Sequence, residues 1–202
     1  MRFVTIDFET ANRNRNSPCE VGVTVVEDGA LLETRSWLIR PKLLSFDYFN
    51  TLVHGISRQM VEQEPEFDTV WSELQPMLEG QFLIAHNAGF DMSVLRSTLD
   101  LYGLPHPRFD FSCSYIFSKR VWPQSPAYGL HDLCTAQGIS FEHHRSASDS
   151  RATAQLCLKA FEVSGVRSPE EISSILQTGI GHLAPGNFHP SRSKRVRVYE
   201  SS

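Results

Sequence analysis

The chain is expected to fold as an α/β domain on a mixed β-sheet, and three features of its sequence predict this. It opens with three β-like segments joined by tight turns. Two short apolar segments follow, one between helical patterns and one after the second of them. Glycines and prolines punctuate the helical stretches at their ends. An antiparallel meander that gives way to helix, strand, helix, strand is the pattern of an α/β sandwich with helices flanking the sheet.

Residues 2–8 (RFVTIDF) alternate and are rich in β-formers, which predicts a strand. Residues 20–27 (EVGVTVVE) predict a second, and Asp28-Gly29 is a hairpin signal, since both residues accept positive φ. Residues 31–39 return as a third strand before Pro41. Residues 42–64, with VHGIS at 53–57, suit a loop with short helical turns. From Pro65 the period changes. Phe67, Val70, Trp71, Leu74 and Leu78 make one core-facing helical stripe, which Gly80 closes.

Residues 81–85 (QFLIA) are short and apolar, as a buried parallel strand is. HNAGFD (86–91) then turns into a helix carrying Val94, Leu95, Leu99 and Tyr102, ended by Gly103 and Pro105. Residues 108–112 suggest a fifth strand and 129–137 a short helix stopped by Gly138. A helix over 149–163 puts Ala154, Cys157, Leu158 and Phe161 on one side. Ser168-Pro169-Glu170-Glu171 is a capping box that starts a final helix. Past Pro185 the chain is rich in Gly, Pro, Ser and Arg, and VRVYE (196–200) alternates like a strand able to join a sheet edge. The only boundary is soft, giving a main domain over 1–165 and a C-terminal helix with a basic tail over 166–202.

With 202 residues, 41% hydrophobic and 21% charged, the chain can bury a core and is no disordered polyelectrolyte. No apolar run approaches the roughly 20 residues that span a bilayer. The N-terminus becomes strand-like at once and is acidic by position 7, unlike a signal peptide, so a cytoplasmic protein is expected. Cys19, Cys113, Cys134 and Cys157 form no C-x-x-C pair and suit buried free thiols. A net charge of -4 argues against bulk duplex binding but not against a nuclease, whose metal ligands are themselves acidic.

Four carboxylates carry the functional signal. Asp7 and Glu9 alternate on the first strand and so share a face. Two like charges on a buried face cost free energy, and a divalent cation is the usual remedy. A wet face, or a strand that ends before Glu9, would remove the cost. Asp91 and Asp149 stand where helices are expected to open; taken alone, helix capping is the better account of Asp91, and Asp149 has the same ambiguity. His144 precedes Asp149 by five positions, across Arg145, Ser146, Ala147 and Ser148. A histidine near an activated water can serve as general base at neutral pH, while an exposed loop histidine is the plainer account. Its neighbour His143 is a second candidate.

Taken in order, Asp-x-Glu, then HNAGFD, then His-x4-Asp before a helix resembles the DEDDh family of 3'–5' exonucleases. Within it the likeness is to the proofreading epsilon subunit of bacterial DNA polymerase III and its stand-alone relatives. Ribonuclease T and oligoribonuclease share that core. FVTIDFETA (3–11), VHGISRQMVEQEPEF (53–67) and YGLHDLCTAQGIS (128–140) extend the resemblance over residues 3 to about 163. One departure is Thr10-Ala11-Asn12, where many relatives read Thr-Thr-Gly, so the loop near the terminal nucleotide differs.

The resemblance implies an RNase H-like fold and a two-metal mechanism with Mg2+ or Mn2+, hard cations that take oxygen ligands. Asp7, Glu9 and Asp149 would hold the ion that activates water. Asp7 would also contact the second ion, and Asp91 would act on it partly through water. His144 would take the proton from the attacking water. Thr10, Ala11, His54, Asn87 and Phe90 are candidate substrate contacts: backbone N–H groups at Thr10 and Ala11, His54 near the terminal nucleotide, and Phe90 stacking on a base or packing in the core. No Cys/His ligand set appears, so zinc is not expected to be the working metal.

The expected product is a nucleoside 5'-monophosphate from a single-stranded DNA 3' end. The alternatives are RNA 3'-end trimming, a non-catalytic polymerase-associated module, and a hydrolase of free nucleotides. The implied partners are single-stranded 3' ends and a polymerase subunit, with the last helix and tail available for docking. Arg192, Lys194, Arg195 and Arg197 would lie along a phosphate backbone or form a solvated terminus.

Overall fold

The computed structural model describes residues 1–194. Strands β1 (Arg2–Thr10), β2 (Pro18–Glu27) and β3 (Ala30–Leu38) form the antiparallel meander, with Asp28 at φ 50° and Gly29 at φ 82° in the turn. Two short helices, α1 (Tyr48–His54) and α2 (Arg58–Val61), lead to α3 (Phe67–Leu78), whose five predicted stripe residues are all buried. Then come β4 (Phe82–Ala85), α4 (Ala88–Tyr102), β5 (Phe109–Cys113) and α5 (Ser114–Val121). The chain continues through α6 (Leu130–Ala136), α7 (Ser146–Ser164) and α8 (Pro169–Ile175) to four short strands: β6 (Thr178–Gly179), β7 (Gly181–Ala184), β8 (Asn187–His189) and β9 (Arg192–Ser193).

One seven-stranded sheet runs β3-β2-β1-β4-β5-β7-β8. The β1–β4 and β4–β5 pairs are parallel, and the remaining neighbours are antiparallel. This is the mixed sheet expected from sequence. Two segments go beyond the expectation. Helix α5 follows β5 with no breaker between them, and residues 181–189, placed in the tail by composition, return as a hairpin on the β5 edge. Gly181 permits that pairing, because a Cβ there would lie 2.3 Å from the Phe111 ring. Strand β9 pairs with β6, so Arg192 is part of a small second sheet; Arg195, Arg197 and VRVYE lie outside the described residues.

The faces of β1 divide the core. Val4, Ile6 and Phe8 pack with Val21 and Val23 against α3 and α4. Phe3 packs on the other face with Ala154, Cys157, Ala160 and Phe161 of α7. Alternation therefore puts Thr5, Asp7 and Glu9 on the α7 side. Small residues let α7 come close: Thr5 Oγ1 donates to the Ser150 carbonyl at 2.7 Å, and Thr24 Oγ1 lies 3.1 Å from Ser150 Oγ. All four cysteines are buried free thiols.

Candidate active site

The parallel pairing of β1 and β4 brings the C-terminal ends of both strands together, where an open α/β sheet forms its crevice. Asp7 and Glu9 stand at that end of β1. Helix α4 starts just past β4 and delivers Asp91; α7 crosses from the other face and delivers Asp149. Asp91 and Asp149 are not capping residues. Asn87, at φ 69°, is the N-cap of α4 and Arg145 that of α7, so each aspartate lies inside the first helical turn and is buried. Capping therefore does not explain them.

Ligand oxygens of Asp7, Glu9 and Asp149 lie within 4.8 Å of one another. Asp91 sits beside this trio, its Oδ1 accepting the Phe8 N–H at 3.0 Å. Burial pushes the Asp7 carboxyl well above the ordinary range, and Asp91, Asp149, Glu9 and Glu20 add to the rise. Glu9 is pushed up to about 8 by burial, then by Asp149, Glu20 and Asp91. Asp91 rises to about 7 through burial, against hydrogen bonds from backbone N–H groups and the charge of Arg15. Asp149 is also raised by burial, opposed by His143 and His144.

Among the described residues, Asp7 Oδ2 is buried without any hydrogen-bond partner. Such an orphan costs free energy unless a cation meets it. The donor set is all oxygen, negatively charged and crowded, and it fits hard divalent cations.

Two adjacent histidines reach this cluster. His144 Nδ1 lies 4.0 Å from Glu9 Oε1, and its backbone N–H donates to Asp149 Oδ2 at 2.8 Å. His144 takes φ 66°, and its side chain is 40% exposed. Burial and the neighbouring His143 lower its pKa, which keeps the ring neutral and able to accept a proton. His143 stacks on His144 at 3.7 Å and places Nδ1 2.9 Å from Asp149 Oδ1. The structure thus assembles a mixed nitrogen–oxygen set that spacing did not reveal: ligand atoms of His143, His144 and Asp149 lie within 4.8 Å of one another.

The expected substrate contacts are partly corrected. Ala11 is fully buried among Cys19, Ile56 and Val61, and its N–H already donates to the Ser17 carbonyl at 2.8 Å, so it offers no free donor. His54 is 4% exposed. Its Nδ1 accepts the Ile56 N–H at 3.0 Å, which leaves the proton on Nε2 to meet the Thr10 carbonyl at 3.2 Å. It is a bracket between α1 and β1 rather than an open contact. Thr10 is 4% exposed; Asn50 Nδ2 donates to its carbonyl at 3.0 Å. Phe90 packs against the main core, with the Arg15 guanidinium 4.3 Å above its ring. Asn87 is exposed.

Sequence reasoning missed Arg15, Asn50 and Glu20. Glu20 is 2% exposed and pairs in register with Glu9. A carboxylate at the head of an apolar strand was the only local signal.

Residues 4–157 match the family model described as Exonuclease. The chain belongs to the exonuclease family. It is 32% identical over 170 residues to the 3'-5' exonuclease DinG of Bacillus subtilis, covering 80% of this chain and 18% of that protein. Likewise it is 28% identical over 194 residues to the PolC-type DNA polymerase III of Thermotoga petrophila, covering 93% of this chain and 14% of the polymerase. The chain thus spans less than a fifth of these relatives' length. In fold it is similar to Exonuclease X, solved in complex with 5' overhanging duplex DNA, with TM-score 0.72 and 24% identity over 86% of this chain and 99% of that one. The mixed sheet of parallel and antiparallel strands flanked by helices is shared with that structure. Among the described residues no helix is long and apolar enough to cross a membrane.

Proposed function

We propose that this exonuclease removes nucleotides in the 3'–5' direction from single-stranded DNA ends, releasing nucleoside 5'-monophosphates with the help of Mg2+ or Mn2+. The observation that carries the proposal is the convergence of Asp7, Glu9 and Asp149 within 4.8 Å, with Asp91 alongside and the buried Asp7 Oδ2 unpartnered.

Asp7, Glu9, Asp91 and Asp149 are the residues that would hold two divalent cations. When bound, such cations polarise the scissile phosphate and lower the pKa of the attacking water. The protein's own share begins with His144, which is neutral, half-exposed and beside Glu9, and so placed to take the proton from water. The new bond joins the water oxygen to phosphorus, and the bond to the 3'-oxygen of the preceding nucleotide breaks. Asp149 orients His144 through the backbone N–H at 2.8 Å. Thr10, held by Asn50 and His54 one residue past Glu9, would lie beside the terminal sugar.

The 3'–5' direction is supported by the likeness to DinG, and the DNA preference and a polymerase as partner by the likeness to PolC-type DNA polymerase III. The test is digestion of 5'-labelled single-stranded DNA and sequence-matched RNA, each with a 3'-hydroxyl or a 3'-phosphate. Faster shortening of 3'-hydroxyl DNA is expected. Faster RNA shortening would make this an RNA-trimming enzyme, and cleavage indifferent to the 3' group would contradict an exonuclease working from that end.

A further inference from the structure

Glu20 belongs to none of the motifs above, yet it is a buried carboxylate directly opposite Glu9. Like charges facing each other across an antiparallel pair are destabilising, and a carboxylate at this depth is costly unless hydrogen-bonded. Its bonds all go to one place. Oε2 accepts the Ser146 N–H at 2.9 Å, and Oε1 accepts from Arg145 Nη2 at 3.3 Å.

Ser146 is the first residue of α7, and Arg145, its N-cap, supplies no side-chain cap. The first N–H groups of a helix lack partners within it and favour a negative group. Glu20 therefore caps α7 from the neighbouring strand. Two residues on, the same face of β2 carries Gly22, where a Cβ would lie 2.1 Å from both the carbonyl carbon and oxygen of Ser146. Strand β2 thus touches the start of α7 at two successive positions, one a charged hydrogen bond and one a backbone contact that only glycine allows.

These contacts fix the height and rotation of the turn that carries the active-site groups. His144 lies just before Ser146 and Asp149 just after, and the two are joined by the His144 N–H bond. We propose that Glu20 is a positioning residue: by holding the Ser146 N–H beside the close contact at Gly22, it sets Asp149 and His144 against Asp7 and Glu9. The proposal rests on the metal-dependent exonuclease reading. Outer-shell partners of metal ligands typically change affinity or activity by roughly 10- to 100-fold when lost.

The test uses the full chain as wild type, Glu20→Ala, Glu20→Gln, Ser146→Pro and Glu20→Ala/Ser146→Pro. Proline removes the N–H while suiting the first position of a helix. Mn2+ affinity is measured by calorimetry on metal-free protein, and kcat and KM on a single-stranded DNA oligonucleotide. Glu20→Ala and Ser146→Pro are each expected to weaken Mn2+ binding and lower kcat by roughly 10- to 100-fold with KM unchanged. The double variant should be no worse than either single one. Glu20→Gln, whose amide oxygen still accepts the Ser146 N–H, should stay within a few-fold of wild type.

Wild-type Mn2+ affinity and kcat in Glu20→Ala would overturn the proposal, as would additive losses in the double variant or a Gln variant as impaired as Ala. Should circular dichroism show Glu20→Ala unfolded, Ser146→Pro decides, and wild-type behaviour there overturns the proposal. If the wild type cleaves no oligonucleotide, the functional reading fails, and the Mn2+ titration still tests Glu20.

Discussion

Asp91 and Asp149 occupy equivalent places in two helices on opposite faces of the sheet: each is a buried residue of the first helical turn, and each serves the same end of β1. Asp91 binds the β1 backbone at Phe8, and Asp149 meets the side chains of Asp7 and Glu9. The strand is clasped from both sides by carboxylates that repel one another. Stability has been given up at this point, and the loss is what a cation would recover.

Replacing Asp7 should separate the two consequences. Asp7→Asn is expected to lower metal-dependent turnover by roughly 1,000-fold, about 4 kcal/mol of barrier. The same change should raise the stability of metal-free protein by about 1 kcal/mol or more, because it removes one of the mutually repelling charges. Chemical denaturation in EDTA measures the second effect. A destabilised Asp7→Asn would mean the carboxylate is held by a contact other than a cation.

The pH dependence of metal-free stability has a definite sign. Glu9 rises from an ordinary 4.5 to about 8 on folding, and Asp91 from 3.8 to about 7. The folded chain then binds protons more tightly than the unfolded one, so this contribution is fully present below the unfolded values and is lost as pH rises through 7 to 8. The Tm in EDTA should therefore fall between about pH 5 and pH 8.5, and Mn2+ should restore it at the upper end. A Tm that rises over that span would refute the crowding of these carboxylates.

The two stacked histidines are predicted to differ. His144→Ala should reduce kcat by roughly 100- to 10,000-fold with little change in Mn2+ affinity. His143→Ala, which removes a hydrogen bond to Asp149 and the ring stacked on His144 but not the group beside Glu9, should cost within about tenfold. Steady-state kinetics beside Mn2+ calorimetry would show it. The reverse order of effects would move the base role to His143.

His54 is predicted to act through structure. His54→Ala removes the acceptor of the Ile56 N–H and one of the two donors to the Thr10 carbonyl, leaving Asn50 Nδ2 there, both in a dry environment. That should destabilise the fold by roughly 1–3 kcal/mol. Because burial lowers its pKa and both ring nitrogens are engaged, kcat against pH should keep its shape in the variant. A shifted pH profile would give His54 a role in proton transfer.

Local pattern made much of this legible. The Asp28-Gly29 turn set the meander, the stripe from Phe67 to Leu78 placed α3, and alternation put Asp7 and Glu9 on one face. Other features depend on groups that meet only in the folded chain. Glu20 and Ser146 lie 126 positions apart, and no local signal couples them. Ala11 and His54 looked open to substrate because a sequence shows neither the Ser17 carbonyl nor the Ile56 N–H that occupy them. The β7–β8 hairpin did carry a signal, Pro185-Gly186, which the surrounding Ser and Arg composition obscured. Helix α5 had none, since SYIFSKRV continues a strand without a breaker.

The carboxylates around Asp7 are proposed to form a cation-dependent centre acting on 3' ends. This is tested most directly by digesting a 5'-labelled single-stranded DNA oligonucleotide with wild type and Asp7→Asn, in Mg2+ and in EDTA. A ladder that shortens one nucleotide at a time is expected in Mg2+, with none in EDTA and none for Asp7→Asn. An Asp7→Asn variant that produces the wild-type ladder, or a ladder that persists in EDTA, would contradict it.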